Sequence, residues 1–159
     1  MKPRQILIVF AFALMLGACN SKQKAPADEA EKEEAVVDSQ SVGNCYDQLV
    51  TAEALSQVDP EYGSTEDYAK ARANYDSIMG IYLKDLDENE AAIKKLELAK
   101  RAINSHGRYF ATHTEEMRNP ANQRLMATYG QMLKEIQMNI VTLKLTDSQR
   151  ARVDSINNN

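Results

Sequence analysis

From Asn44 onward the apolar positions recur every three or four residues, the period of helices buried along one side. Tyr46, Leu49, Val50, Ala54 and Val58 form a first stripe, with Asn44 as its cap and Asp47 near its positive end. Asp59-Pro60 stops that helix, because the residue before proline is disfavoured in the helical region. Gly63 then marks a turn, and Ser64 with Asp67 reads as a new N-terminus of capping-box type. Tyr68, Tyr75 and Tyr82 recur every seven residues, and Asn89, Leu96 and Ile103 continue the phase. Arg72, Met79, Leu86 and Ile93 make a second row four residues on. Together they predict one coiled-coil-like helix reaching Ser105, about 63 Å long at about 1.5 Å per residue. Asp87-Glu88-Asn89-Glu90 offers an alternative: a fresh helix capped by Asp87, with a break at Lys84 to Asp87. Gly107 is the expected end of this region.

Arg108 to Arg118 reads as helical, and Asn119-Pro120 restarts the chain with a capping asparagine and a proline in the first turn. Leu125, Tyr129, Met132, Ile136, Ile140 and Leu143 are the core face of a helix to Lys144. Thr146 caps a last helix to Ile156, after which the asparagines are expected to fray. No strand pattern stands out. The prediction is an all-α fold, an antiparallel helical bundle of about four helices built round two long coiled-coil-like ones, in residues 45 to 159.

The N-terminal pattern is different. Ile6 to Leu16 is an unbroken apolar run of 11 residues behind Lys2 and Arg4, too short for a spanning helix, which needs roughly 20. Leu16-Gly17-Ala18-Cys19 follows directly. A basic start, a short apolar core and small residues before a cysteine resemble a bacterial lipoprotein signal peptide with its lipobox. The resemblance implies cleavage after Ala18, with Leu16 and Gly17 part of the recognised motif, and a diacylglycerol thioether on Cys19, often with an acyl group on its new amine. No cofactor is expected beyond that covalent lipid. Asn20, where an aspartate would favour the inner membrane, implies the outer membrane facing the periplasm. Residues 1 to 18 are then the signal peptide, and 19 to 44 the lipidated cysteine and its linker.

The linker carries Lys22, Lys24 and Lys32 against Asp28, Glu29, Glu31, Glu33, Glu34 and Asp38, with Pro26 and many small residues. Such a composition buries little apolar area and is expected to be disordered. A coil of this length spans about 25–30 Å and would hold the domain off the membrane.

Composition narrows the function. Without Lys2 and Arg4 the side chains number 17 basic against 23 acidic, which argues against a nucleic-acid binder. Tryptophan is absent, and beyond the signal segment Phe110 is the one phenylalanine. If Cys19 carries lipid, Cys45 has no partner within the chain. It is then either a small buried residue or a route to a homodimer by disulfide, the helical seam being a second route. His106 and His113, with Glu116, could bind a transition metal, which would suit a metal-dependent enzyme; two surface histidines are the plainer reading. Tyr68, Tyr75 and Tyr82 either line a partner groove or form a core seam with hydroxyls at its rim.

Leu145, Thr146 and Gln149 resemble the Leu-Thr-x-x-Gln motif of the Spy/CpxP family of periplasmic helical chaperones and stress sensors. That resemblance implies client binding. The motif occurs once here and twice in most of the family, and Thr146 with Gln149 also fits a capping box. The chain lacks the elbow, phosphate-loop and zinc-helix signatures of common enzymes. The expectation is a non-catalytic envelope lipoprotein whose helical domain binds an unknown envelope protein partner.

Overall fold

The computed structural model describes residues 37 to 159, so the signal segment, Cys19 and most of the linker lie outside the described residues. Five α-helices make up the described chain: α1 (Ser39–Val58), α2 (Glu66–Tyr82), α3 (Glu88–Thr112), α4 (Pro120–Val141) and α5 (Asp147–Asn158). Short 3-10 turns at Tyr62–Ser64 and Glu116–Arg118 join α1 to α2 and α3 to α4. The fold is an all-α bundle, with no strand among the described residues.

α1 starts earlier than its apolar stripe implied. Asp38, not Asn44, is the cap: its carboxylate accepts the Ser41 N–H at 2.7 Å. The donors at Ser41 hold that carboxyl below its ordinary range. Val42 is buried and Val37 packs on the same core, so the folded unit takes in residues assigned by composition to the linker. Ser39, Ser41, Gly43 and Asn44 disguise a helix that tertiary packing secures. α1 buries Val42, Cys45, Tyr46, Leu49, Val50, Ala52 and Ala54. Burial so far round the helix suits its place, with α2 on one side and α4 and α3 on another.

The expected long helix is two helices. α2 ends at Tyr82, and Asp87 opens α3 by accepting the Glu90 N–H at 2.8 Å. The break falls at the alternative start seen in the sequence. The α2 cap is Thr65 in place of Ser64, which ends the 3-10 turn. α3 then runs through Gly107 for five more residues, to Thr112, against the expectation that this glycine stops it. Phe110, 8% exposed, anchors the added turn, and that burial offsets the roughly 1 kcal/mol glycine penalty.

α4 begins as the pattern required: Asn119 accepts the Ala121 N–H at 3.0 Å, and Pro120 fills the first turn. Tyr46–Tyr75 and Glu53–Tyr68 contacts make α1 and α2 an antiparallel pair. α5 runs parallel to α3: Arg152 reaches Glu90 and Glu97, while Lys100 and Asn104 hold the Asn157 and Asn159 carbonyls. The closing asparagines are thus tied down by α3, not left to fray. Glu90 and Glu97 both meet Arg152 across helices, and Glu97 also pairs with Lys94 on its own helix at 3.0 Å.

Two apolar clusters fill the interior. Val42, Tyr46, Val50, Met79, Leu98, Ala99 and Tyr129 join α1 to α4. Ala92, Ile93, Leu96, Ile140 and Val153 join α3, α4 and α5. The glycines within helices are not close-approach sites: a methyl group at Gly80, Gly107 or Gly130 would meet nothing within 4 Å. Gly107→Ala should therefore raise stability by about 0.5–1 kcal/mol, read as a higher midpoint in urea unfolding. A lower midpoint would mean that α3 needs the glycine.

Candidate functional site

The tyrosine stripe lies along the face of α2 that meets α1, and its three members differ. The Tyr68 hydroxyl donates to Glu53 at 2.9 Å, and Arg72 donates to the same carboxylate at 2.7 Å. Tyr75 is half-buried, its ring 6.2 Å from that of Tyr46. Tyr82 packs against the first cluster. The stripe is mainly a seam of half-buried rings, and Tyr75 also lines two adjoining clefts.

That space is a groove above α1, walled by α2 and α4. One cleft, of about 280 Å³, is lined by Tyr46, Tyr75, Lys95, Met132, Glu135, Ile136 and Asn139. A second, of about 340 Å³, adjoins it and is lined in part by Glu53, Arg72, Thr128 and Gln131. Tyr75, Met132 and Glu135 border both. Helix spacing dictates this: Thr128, Met132, Glu135 and Asn139 sit one turn apart on α4, beside the stripe that enters the core.

One polar group in the first cleft is a buried orphan. Tyr46 is 1% exposed, and its hydroxyl has no hydrogen bond. An unpaired buried hydroxyl costs about 1–3 kcal/mol. Burial first, then the neighbouring Tyr75, Asp47 and Glu135, raise its pKa far above the ordinary phenol value, so the proton stays on. Burial pushes Tyr75 up to about 12. Lys95 and Glu135 line the same cleft, and Glu135 also accepts the Gln131 amide at 3.2 Å.

A separate polar cluster lies where α1, α3 and α4 meet. The Tyr129 hydroxyl donates to Asp47 at 2.6 Å and stands 2.9 Å from His106 Nε2. Burial and the Asp47 carboxylate both push the Tyr129 pKa sharply up. His106 is 3.5 Å from Asp47, while His113 stacks on Tyr109 at 4.2 Å, so the two histidines do not share a site. Among the described residues no group of three His, Cys, Asp or Glu side chains could hold a metal ion.

Cys45 is 1% exposed, its thiol donates to the Val42 carbonyl at 3.1 Å, and burial raises its pKa. A disulfide to a second chain would require α1 to unpack. The Leu145 to Gln149 motif is a helix start: Thr146 accepts the Gln149 N–H at 3.2 Å, and Gln149 accepts the Thr146 N–H at 3.1 Å. Gln149 also donates to Glu90 at 2.9 Å, a docking role that capping alone does not require.

Met138 and Val141, 62% and 85% exposed, lie on α4 away from both clefts. Of the groove's lining, the sequence offered Tyr75 and missed the rest. The signal for the rest was Tyr46, a tyrosine on a buried stripe with no pairing residue at helical spacing. Comparison of the chain with family models, with curated proteins and with solved structures gives no match.

Removing the orphan hydroxyl should help the free protein. Tyr46→Phe is expected to raise unfolding stability by about 1 kcal/mol in urea titration, since the ring stays and only the unpaired group goes. A loss of 1 kcal/mol or more, on the order of one hydrogen bond, would show that the hydroxyl has a partner.

Proposed function

We propose that the protein is a lipid-anchored component of a bacterial cell envelope whose helical domain binds a protein partner and performs no catalysis. The observation that carries this reading is Leu16-Gly17-Ala18-Cys19, placed directly after the apolar run Ile6 to Leu16. Among the described residues no helix is long and apolar enough to cross a membrane, so a lipid on Cys19 would supply the attachment. Each buried methylene of such a lipid adds about 0.8 kcal/mol, and two chains or more anchor stably. The helical unit is in place by Val37, and residues 20 to 36 allow it a reach of at most about 60 Å from the anchor. Asn20 favours the outer membrane, with the domain in the periplasm.

The partner surface of this reading is the groove between α2 and α4. Tyr75 is the part of the tyrosine stripe that contributes to it; Tyr68 and Tyr82 support it from within the seam. Charge is balanced there, with Lys95 and Arg72 against Glu53 and Glu135, which suits a mixed polar and apolar segment of protein.

Cys19→Ala should abolish incorporation of labelled fatty acid and move the protein from the membrane to the soluble fraction. A variant that stays on the membrane would remove the lipobox reading. A photocrosslinker replacing exposed Gln131 at the groove should capture an envelope protein in intact cells, and one replacing Asp154 on α5 should not. Equal capture from both positions would remove the groove from the contact.

A further inference from the structure

α5 is held to the bundle chiefly by polar bonds. Val153 is its one buried side chain, with Gln149, Arg152 and Ile156 half-buried beside it. Arg152 is the centre of the attachment. It donates to Glu90 at 2.7 Å and to Glu97 at 3.4 Å, two carboxylates spaced two turns apart on α3. Gln149 accepts from Asn89 at 3.2 Å and donates to Glu90 at 2.9 Å. Gln149 first, then Arg152, hold the Glu90 carboxyl below its ordinary range. Toward the other end, Lys100 donates to the Asn157 carbonyl and Gln137 of α4 to the Asn157 side chain. The side chains of Arg152, Glu90 and Glu97 keep 40%, 29% and 28% of their surface in water, so dissolved salt reaches and screens these pairs.

What lies beneath α5 is apolar. Val153 and Ile156 pack on Ala92, Ile93, Leu96 and Ile140, and Ile93 and Leu96 are 0% exposed. Residues 142 to 146, which belong to no helix, join α5 to α4 and can serve as its hinge. An element with little buried apolar surface and many water-facing polar bonds opens at lower cost than the core it covers. With α5 lifted, these side chains of α3 and α4 become the floor of a furrow rimmed by Glu90 and Glu97. An apolar furrow with a polar rim is the form in which proteins take an amphipathic helix. α5 itself shows the chemistry that fits: an arginine for the two carboxylates, and aliphatic side chains for the floor. Ala92, Ile93, Leu96 and Ile140 line neither cleft of the α2–α4 groove, so this is a second surface.

We propose that α5 is a strap that lifts while α1 to α4 stay folded, and that the furrow beneath it receives an amphipathic helix of a partner protein. That helix carries an arginine followed by aliphatic residues at the spacing of Arg152, Val153 and Ile156. A second copy of this chain is the poorer occupant, because its α5 already has the same bonds within its own chain and gains none by exchange.

Amide hydrogen exchange in the full chain, followed by NMR, tests the strap. The Val153 amide should exchange about tenfold or more faster than that of Leu96, after correction for intrinsic rates. Raising sodium chloride from about 0.05 M to about 0.5 M should speed Val153 further and leave Val50 of α1 unchanged. Arg152→Met should speed Val153 by about threefold to tenfold, again with no change at Val50. An unlabelled peptide of residues 145 to 159 tests the furrow when titrated into the 15N-labelled Arg152→Met chain. It should displace the chain's own α5, whose amide signals then move to unfolded positions. The same peptide carrying Arg152→Met should do so about threefold more weakly.

Exchange of Val153 and Leu96 at one rate would mean that α5 opens only when the whole bundle unfolds, and overturns the strap; indifference of Val153 to salt does the same. A peptide that leaves α5 in place at large excess overturns the docking site. The full chain should sediment as a monomer, and a dimer with α5 exchanged between copies would overturn the choice of a partner protein's helix.

Discussion

The Tyr129 hydroxyl, set between Asp47 and His106, is the contact on which the rest of the structure depends. It is the polar bond that holds α1 against α3 and α4 together, at the edge of the first apolar cluster, to which the Tyr129 ring belongs. The Tyr129 ring stacks at a tilt against Tyr46 and against His106, so the same residue fixes the depth and the rotation of α1. α2 leans mainly on α1. Seating α1 therefore places α2 as well, at a distance from α4 that leaves the groove open.

The groove is a by-product of that seating and also its most consequential feature. Were α2 to close on α4, Tyr75 and Met132 would meet and the Tyr46 hydroxyl would lie under solid packing. Instead Tyr46 contributes its ring to the core and leaves its hydroxyl unpaired beneath a cleft. Tyr46 and Tyr129 are neighbours with opposite polar fates: one hydroxyl has two partners, the other has none. A bundle built only for stability would carry phenylalanine at the first and keep tyrosine at the second.

Much of the helical order was legible because caps are local. Asn119-Pro120, Asp87 and Thr146 each act on a backbone N–H within three residues, and each starts a helix where the sequence offered one. Local signals failed where packing at a distance decides. Gly107 did not end α3, because Phe110 gains burial beyond it. Ser39 to Asn44 did not remain a linker, because Val42 reaches the core from an otherwise polar segment. Tyr68, Tyr75 and Tyr82 were recognisable as a stripe, yet heptad spacing cannot say which of them faces a gap. Glu90 and Glu97 lie 62 and 55 residues from Arg152 in the chain, and only the fold brings the arginine between them.

A double-mutant cycle on Asp47→Ala and Tyr129→Phe, measured by urea unfolding, addresses the seating of α1 most directly. Coupling between the two positions should amount to about 0.5–3 kcal/mol, because either change alone already breaks the shared bond. Additivity within about 0.5 kcal/mol would contradict it, and would mean that apolar burial alone holds α1 in place.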